Sequence, residues 1–168
     1  AAEYEQRRVG DTIYASISWT TGDNVEDLAL QGSANINATG NALSNLLVGN
    51  GANNIITGGG AGDVLVGGAG ADQFVYNSAA EGGDAITDFV SGLDSLVFSA
   101  AGFGGGLVSG AAAAFVSGSN PTSLGAAFLY DTDDGRLFWD GDGAGGVAAI
   151  LIATLSNAPL LTQFDIVI

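Results

Sequence analysis

Cysteine, histidine, methionine and lysine are all missing from this 168-residue chain, and each absence closes a route. Without cysteine there is no disulfide scaffold, and without cysteine or histidine no ordinary structural zinc site. Without histidine there is no Ser-His-Asp triad. The lack of methionine leads us to expect a piece from the C-terminal end of something longer. No N-terminal signal peptide is legible, and no apolar run approaches the ~20 residues of a membrane span. Positive charge is nearly absent as well. Three arginines (Arg7, Arg8, Arg136) face eighteen acidic residues, for a net charge of −15. Nucleic acid and anionic membrane surfaces are therefore poor partners, and membrane insertion is not expected. Hydrophobic residues still make up 47% of the chain, enough for a core and too many for disorder. The length suits one domain, or one domain with an appendage.

Glycine, by contrast, is abundant, and four of its positions keep time. Gly40, Gly49, Gly58 and Gly67 each open a nine-residue phrase: GNALSNLLV, GNGANNIIT, GGGAGDVLV and GGAGADQFV. Positions 1 to 4 hold Gly, Asn or small residues, which predicts tight turns with positive φ. Position 6 is always an oxygen donor: Asn45, Asn54, Asp63 and Asp72. Position 8 is always large and apolar: Leu47, Ile56, Leu65 and Phe74.

Six turn residues followed by three strand residues make neither a helix nor an ordinary hairpin. The economical solution is a parallel β-roll in which two repeats complete one coil and repeat n stacks on repeat n+2. At ~4.8 Å between neighbouring strands, the Asn45 loop lies over the Asp63 loop, and the Asn54 loop over the Asp72 loop on the other edge. Such gaps present oxygens only, which suits Ca2+ better than Mg2+, with its stricter octahedral demand. Short strands, glycine-rich turns and repelling carboxylates make metal binding part of the folding energy. Asparagine and aspartate that merely cap the turns of a metal-free solenoid are the plainer alternative.

Positions 7 and 9 point outward. On one sheet they are Leu46, Val48, Val64 and Val66, and on the other Ile55, Thr57, Gln73 and Val75. The first set is expected to be covered by Phe103, Leu107, Phe115 or the 147–155 segment, and the second to stay wetter. Residues 1–39 are read as irregular β coils capping the roll, with 1–8 a frayed boundary. Residues 40–80 form the roll itself, and 81–168 a β-rich C-terminal portion. Within that portion 84–89 and 91–98 make a turn-and-strand pair. Residues 127–131, 136–140 and 147–155 alternate with acidic turns as in a meander, and 108–114 suggests a short helix. The fold class is all-β: a parallel β-roll continued by a β-sandwich-like or meander portion.

From about residue 25 onward the chain resembles the C-terminal RTX (hemolysin-type repeat) region of serralysin-type metalloproteases and related type I secreted proteins. The phrases that carry this are VEDLALQGSANINATGNALSN, the nonapeptides, GADQFVY, DAITDFVSGLD, FLYDTDDGRLFWDGDGAGG and LLTQFDIVI. The resemblance implies calcium as cofactor and two roll sites. One combines carbonyls of Asn41 and Leu43 and the Asn45 side chain with carbonyls of Gly58 and Gly60 and Asp63. The other combines Asn50, Ala52 and Asn54 with Gly67, Ala69 and Asp72. A closing site after the roll would take Gly68, Gly70 and Asp72 with Asp84 or Asp88. The tail Asp165-Ile166-Val167-Ile168 resembles an uncleaved secretion signal read by an ABC-type exporter, which implies a secreted, extracellular or cell-surface protein. The protease zinc motif of that family is absent for want of histidine. No enzyme is expected here, and any catalytic domain of a parent protein lies upstream.

Two alternatives stay open at this point: a structural or adhesive surface-layer module, and an accessory glycan-binding module of a secreted enzyme. Asp140-Gly-Asp142 looks like half an EF-hand loop but lacks its bidentate glutamate, so it reads as a turn. Asp131, Asp133 and Asp134 read the same way. Tyr14, Trp19, Tyr130 and Trp139 are read as core and strand residues in preference to a sugar-binding face.

Overall fold

A computed structural model describes residues 12–104, 106–143 and 146–168; the expected fraying of residues 1–8 lies outside them. Fifteen short strands follow one another: β1 (Thr12–Ala15), β2 (Trp19–Thr20), β3 (Asp27–Leu30), β4 (Ala38–Thr39), β5 (Leu46–Val48), β6 (Ile55–Thr57), β7 (Val64–Val66), β8 (Gln73–Tyr76), β9 (Asp84–Ile86), β10 (Ser95–Phe98), β11 (Phe115–Gly118), β12 (Ala127–Asp131), β13 (Arg136–Asp140), β14 (Ile150–Leu155) and β15 (Ile166–Val167). One helical turn, α1 (Ala100–Phe103), follows β10. It is displaced from the helix expected at 108–114. Gly104 stops it with φ 62, and Gly110 adopts φ 77 inside the expected span.

The roll is formed as its period demands. Odd strands build one sheet in the order β1-β3-β5-β7-β9, and even strands the other in the order β2-β4-β6-β8-β10. Every pair within these runs is parallel. Leu46 pairs with Val64 and Ile55 with Gln73, so stacking partners stand two repeats apart. Position 8 fills the space between the sheets. Leu47, Ile56, Leu65 and Phe74 are all fully buried, and the file runs on through Ile86 and Leu96. Each such side chain contributes roughly 1.5–3 kcal/mol of burial.

The C-terminal portion extends this frame edge-on. β14 pairs with β9 in parallel, matching Ala153 to Asp84. The antiparallel run β14-β13-β12 is the expected meander. β11 adds a parallel edge to make nine strands in all. β15 pairs with β10 and completes the six-stranded sheet.

This placement overturns the expected covering of the Leu46/Val64 face. Leu46 is 37% exposed and Val64 41%, no better shielded than Ile55 at 40%. The physical reason lies at the edge of β9. Its unpaired N–H and C=O groups demand a neighbouring strand, so β14 joins the sheet and does not cross it. Phe103 turns inward instead. Its ring is 5.1 Å from Phe98 and 6.0 Å from Trp139, and Phe128 lies 4.3 Å from Phe98. This aromatic plug fills the wider C-terminal end of the core.

Candidate metal centre

The turns between strands stack along two edges of the roll, as in a ladder. At each rung a position-6 carboxylate reaches back to the coil before it. Asp63 Oδ1 accepts the Asn45 N–H at 2.7 Å, and Asp84 Oδ1 accepts the Asp63 N–H at 2.9 Å. On the opposite edge Asp72 Oδ1 accepts from Asn54 N at 2.8 Å, and Asp94 Oδ1 from Asp72 N at 2.9 Å. These bonds occupy only one oxygen of each carboxylate. Asp63 Oδ2, Asp72 Oδ2 and Asp84 Oδ2 are buried with no partner at hydrogen-bonding geometry, although the buried Tyr76 hydroxyl, itself unpartnered, stands close enough to Asp84 to favour its ionised form. The three residues are at most 2% exposed. A buried carboxylate oxygen left bare is expensive unless something cationic meets it.

Glycine permits the convergence. A Cβ on Gly58 would collide with Asp63 Oδ2 and stand 3.2 Å from Asp84 Oδ2, so only hydrogen leaves room for both. One on Gly67 would stand 2.6 Å from Asp72 Oδ2. The electrostatics match the geometry. Burial pushes the Asp63 carboxyl up to about 6, against a smaller opposing pull from the Asn45 N–H. Burial likewise carries Asp84 to about 7, with the Asp63 charge adding to it. Asp72 is raised by burial and by the charges of Asp94 and Asp88. Among the described residues no three acidic side chains gather that could hold an ion by themselves. Any ion here therefore draws on turn carbonyls as well, as hard oxygen sites do.

The residues singled out in the sequence separate into two kinds. Asp63 and Asp72 each keep one oxygen free, beside Gly58 and Gly67 of their own loops. Asn45 and Asn54 sit in the adjacent loops and also reach back to the preceding coil, but with an amide that donates where the aspartates accept. Asn45 Oδ1 accepts from Asn41 N, and its Nδ2 donates to Val25 O at 2.9 Å and Glu26 O at 3.0 Å. Asn54 Oδ1 accepts from Asn50 N, and its Nδ2 donates to Ile36 O at 2.6 Å. The Asn41 carbonyl already accepts Gly60 N at 2.9 Å.

The two acidic candidates for the closing site stand on different edges. Asp88 accepts both Gly67 N and Gly68 N, at 2.9 and 2.8 Å, and so belongs to the Gly68–Gly70 loop. Asp84 instead stands on the opposite edge with Asp63. The expectation of positive φ also needs a correction. Gly59, Ala61, Gly68 and Gly70 adopt it in the two aspartate repeats, but no residue of 40–57 does. There the Asx turns Asn41 Oδ1–Leu43 N and Asn50 Oδ1–Ala52 N bend the chain instead.

Asp94 escaped the sequence reading. After the fourth repeat the spacing lengthens, so a nine-residue ruler misses both Asp84 and Asp94. The signal that remains is the second half of the phrase. Asp84-Ala-Ile-Thr and Asp94-Ser-Leu-Val repeat the pattern of Asp63-Val-Leu-Val and Asp72-Gln-Phe-Val.

Two acidic groups of the later turns serve as caps. Asp140 Oδ1 accepts from Gly143 N at 2.7 Å, and Asp131 Oδ1 from Asp133 N at 3.0 Å. Asp134 pairs with Arg136 at 2.5 Å. Of the four aromatics weighed above, Tyr130 and Trp139 are buried, whereas Tyr14 is exposed. In the tail, Asp165 is buried and binds Gly92 N, the Ser91 hydroxyl, and both Thr162 N and Oγ1. Burial pushes its carboxyl up, but these four hydrogen bonds together outweigh that and hold it below the usual aspartate value. No described helix is long and apolar enough to cross a membrane.

Comparison with known proteins agrees with this frame. No curated protein matches the chain. Among solved structures, a subunit of the mannuronan C5-epimerase of Azotobacter vinelandii, determined in solution, is 27% identical. It aligns with a TM-score of 0.53 over 88% of this chain and 80% of that one. Residues 16–117 match the family described as Peptidase M10 serralysin C terminal. Since that match spans more than half of the sequence, the chain belongs to the serralysin C-terminal family of RTX repeat domains.

Proposed function

We propose that this chain is a calcium-folded module of a larger exported bacterial protein, with a structural and secretory role and no catalytic one. The observation that carries the reading is the set of three buried carboxylate oxygens without partners, Asp63 Oδ2, Asp72 Oδ2 and Asp84 Oδ2, in a chain of net charge −15. A bound Ca2+ would neutralise these charges and accept the oxygens together with carbonyls of the stacked turns. Asp63 and Asp84 would serve the gaps on one edge. Asp72, Asp88 and Asp94 would serve those on the other. Three parts share the work in this reading: capping coils at 1–39, the roll at 40–80, and the C-terminal portion at 81–168.

Mass action then links folding to compartment. The chain stays loose where calcium is scarce and locks where calcium is plentiful. The tail Asp165–Ile168 fits the same logic. It is read by an ABC-type exporter while unfolded, and afterwards is folded away as β15. Likeness to a subunit of an epimerase supports a place within a larger protein.

Far-ultraviolet circular dichroism tests the proposal. In EGTA the β signal should fall and the thermal transition drop by tens of degrees, and millimolar Ca2+ should restore both. An EGTA-treated chain that is equally folded and equally heat-stable overturns it.

A further inference from the structure

Two kinds of inter-loop gap exist in the roll, and the difference lies in what the position-6 side chain offers the coil before it. At Asp63 and Asp72 it offers an acceptor, Oδ1, to the Asn45 and Asn54 N–H groups, and leaves Oδ2 bare beside Gly58 and Gly67. At Asn45 and Asn54 it offers an N–H pair, aimed at the main-chain carbonyls that line the gap. Position 2 reinforces this. Asn41 Nδ2 donates to Gly22 O at 2.8 Å and Val25 O at 2.9 Å, and Asn50 Nδ2 donates to Ala34 O at 3.0 Å. The five carbonyls of Gly22, Val25, Glu26, Ala34 and Ile36 are thus met by amide hydrogens. Carbonyl oxygens on facing turns are what a cation would otherwise draw together.

The pattern repeats on both edges of the roll and follows the sequence. Where position 6 is Asn, position 2 is Asn. Where position 6 is Asp, position 2 is Gly.

We infer that Asn41, Asn45, Asn50 and Asn54 are tethered substitutes for metal ions. They close the gaps between loops 21–26 and 40–45, and between loops 31–37 and 49–54, by hydrogen bonds alone. The inference rests on the calcium reading for the aspartate gaps and goes beyond it, because it denies an ion to these two. A side-chain amide satisfies the carbonyl dipoles without adding charge, so it needs no counter-ion and none competes for its place. The roll is accordingly built in two tiers. The N-terminal tier is held by amides at any calcium concentration. The C-terminal tier, through Asp63, Asp72 and Asp84, depends on the ion.

Exchanging the two chemistries tests this. Asn45→Asp and Asn54→Asp replace the donor by an oxygen that faces the same carbonyls, and Asp63→Asn does the reverse. Each variant is titrated with CaCl2 by isothermal calorimetry and melted in EGTA. Asn45→Asp and Asn54→Asp should each bind one more ion per chain than the natural sequence and melt several degrees lower in EGTA. Asp63→Asn should bind one ion fewer and melt higher in EGTA. If Asn45→Asp does not fold in EGTA yet folds with calcium and the extra ion, the inference stands. Unchanged stoichiometry in both Asn→Asp variants overturns it. So does an EGTA melt at or above that of the natural sequence. Should the natural sequence bind no calcium at all, the calcium reading fails separately. The EGTA melts then judge the amide tier alone: Asn45→Asp below the natural chain supports it, and the opposite order sinks it.

Discussion

Acid should stabilise the metal-free chain, and Asp63 and Asp84 set the size of the effect. Both carboxyls are raised above the ordinary value of 3.8, to about 6 and about 7. A folded-state value above the unfolded one means that the folded chain binds more protons between them, so stability falls as pH rises through that window. Below 3.8 both states are protonated and nothing is lost. Above about 7 both are ionised and the penalty is complete.

Going from pH 8 to pH 5 recovers about two units at Asp84 and one at Asp63, or about 4 kcal/mol at ~1.4 kcal/mol per unit. Part of the Asp84 shift comes from the Asp63 charge, so the two shifts are not independent and about half, ~2 kcal/mol, is expected. For a chain of this size that raises the melting temperature by about 4–8 °C. Melts followed by circular dichroism in EGTA at pH 5 and pH 8 measure it directly. General repulsion at net charge −15 acts with the same sign, so the Asp63→Asn/Asp84→Asn double variant is the control and should lose most of the dependence. A natural chain that melts higher at pH 8 than at pH 5 in EGTA refutes the reasoning, as does a double variant with undiminished pH dependence.

Two further outcomes are expected. Ala61 holds φ 64 with its Cβ in solvent, and left-handed backbone is unfavourable by roughly 1–2 kcal/mol for a non-glycine residue. Ala61→Gly should therefore stabilise the loaded chain by about 0.5–1 kcal/mol after glycine's extra unfolded-state entropy is counted, as read by urea denaturation. Asp165→Ala strands the Gly92 and Thr162 N–H groups and frees β15, which should destabilise by about 2–4 kcal/mol. Its carboxyl lies below its usual value, so its contribution has the opposite pH sign to that of Asp63: present near neutrality, and lost as pH falls through the folded value.

The roll was legible because its determinants are local and periodic. A buried residue at every ninth position admits one register, and Leu47, Ile56, Leu65 and Phe74 all lie where the period puts them. The outward faces were misjudged for the opposite reason. Whether Val64 is covered depends on where β14 docks, and that is decided by the open edge of β9, a fact about pairing that no local pattern carries. The site was half legible. Position 6 announces an oxygen donor at all four repeats, but that pattern does not separate an amide from a carboxylate. Only the partners separate their roles: the Asn45 amide donates to the Val25 and Glu26 carbonyls, whereas the Asp63 carboxylate accepts the Asn45 N–H.

The register of the roll also constrains how such chains can change length. Leu46 pairs with Val64 and Leu47 with Leu65, so one coil is eighteen residues and its two halves belong to different sheets. Loss or duplication of nine residues would exchange the sheets of every later strand, so that β14 would no longer meet the edge it pairs with. A change of eighteen leaves each strand with an equivalent neighbour. Relatives of this domain should accordingly differ in repeat number by even steps, and an odd step should appear only where a turn has been rebuilt to absorb it.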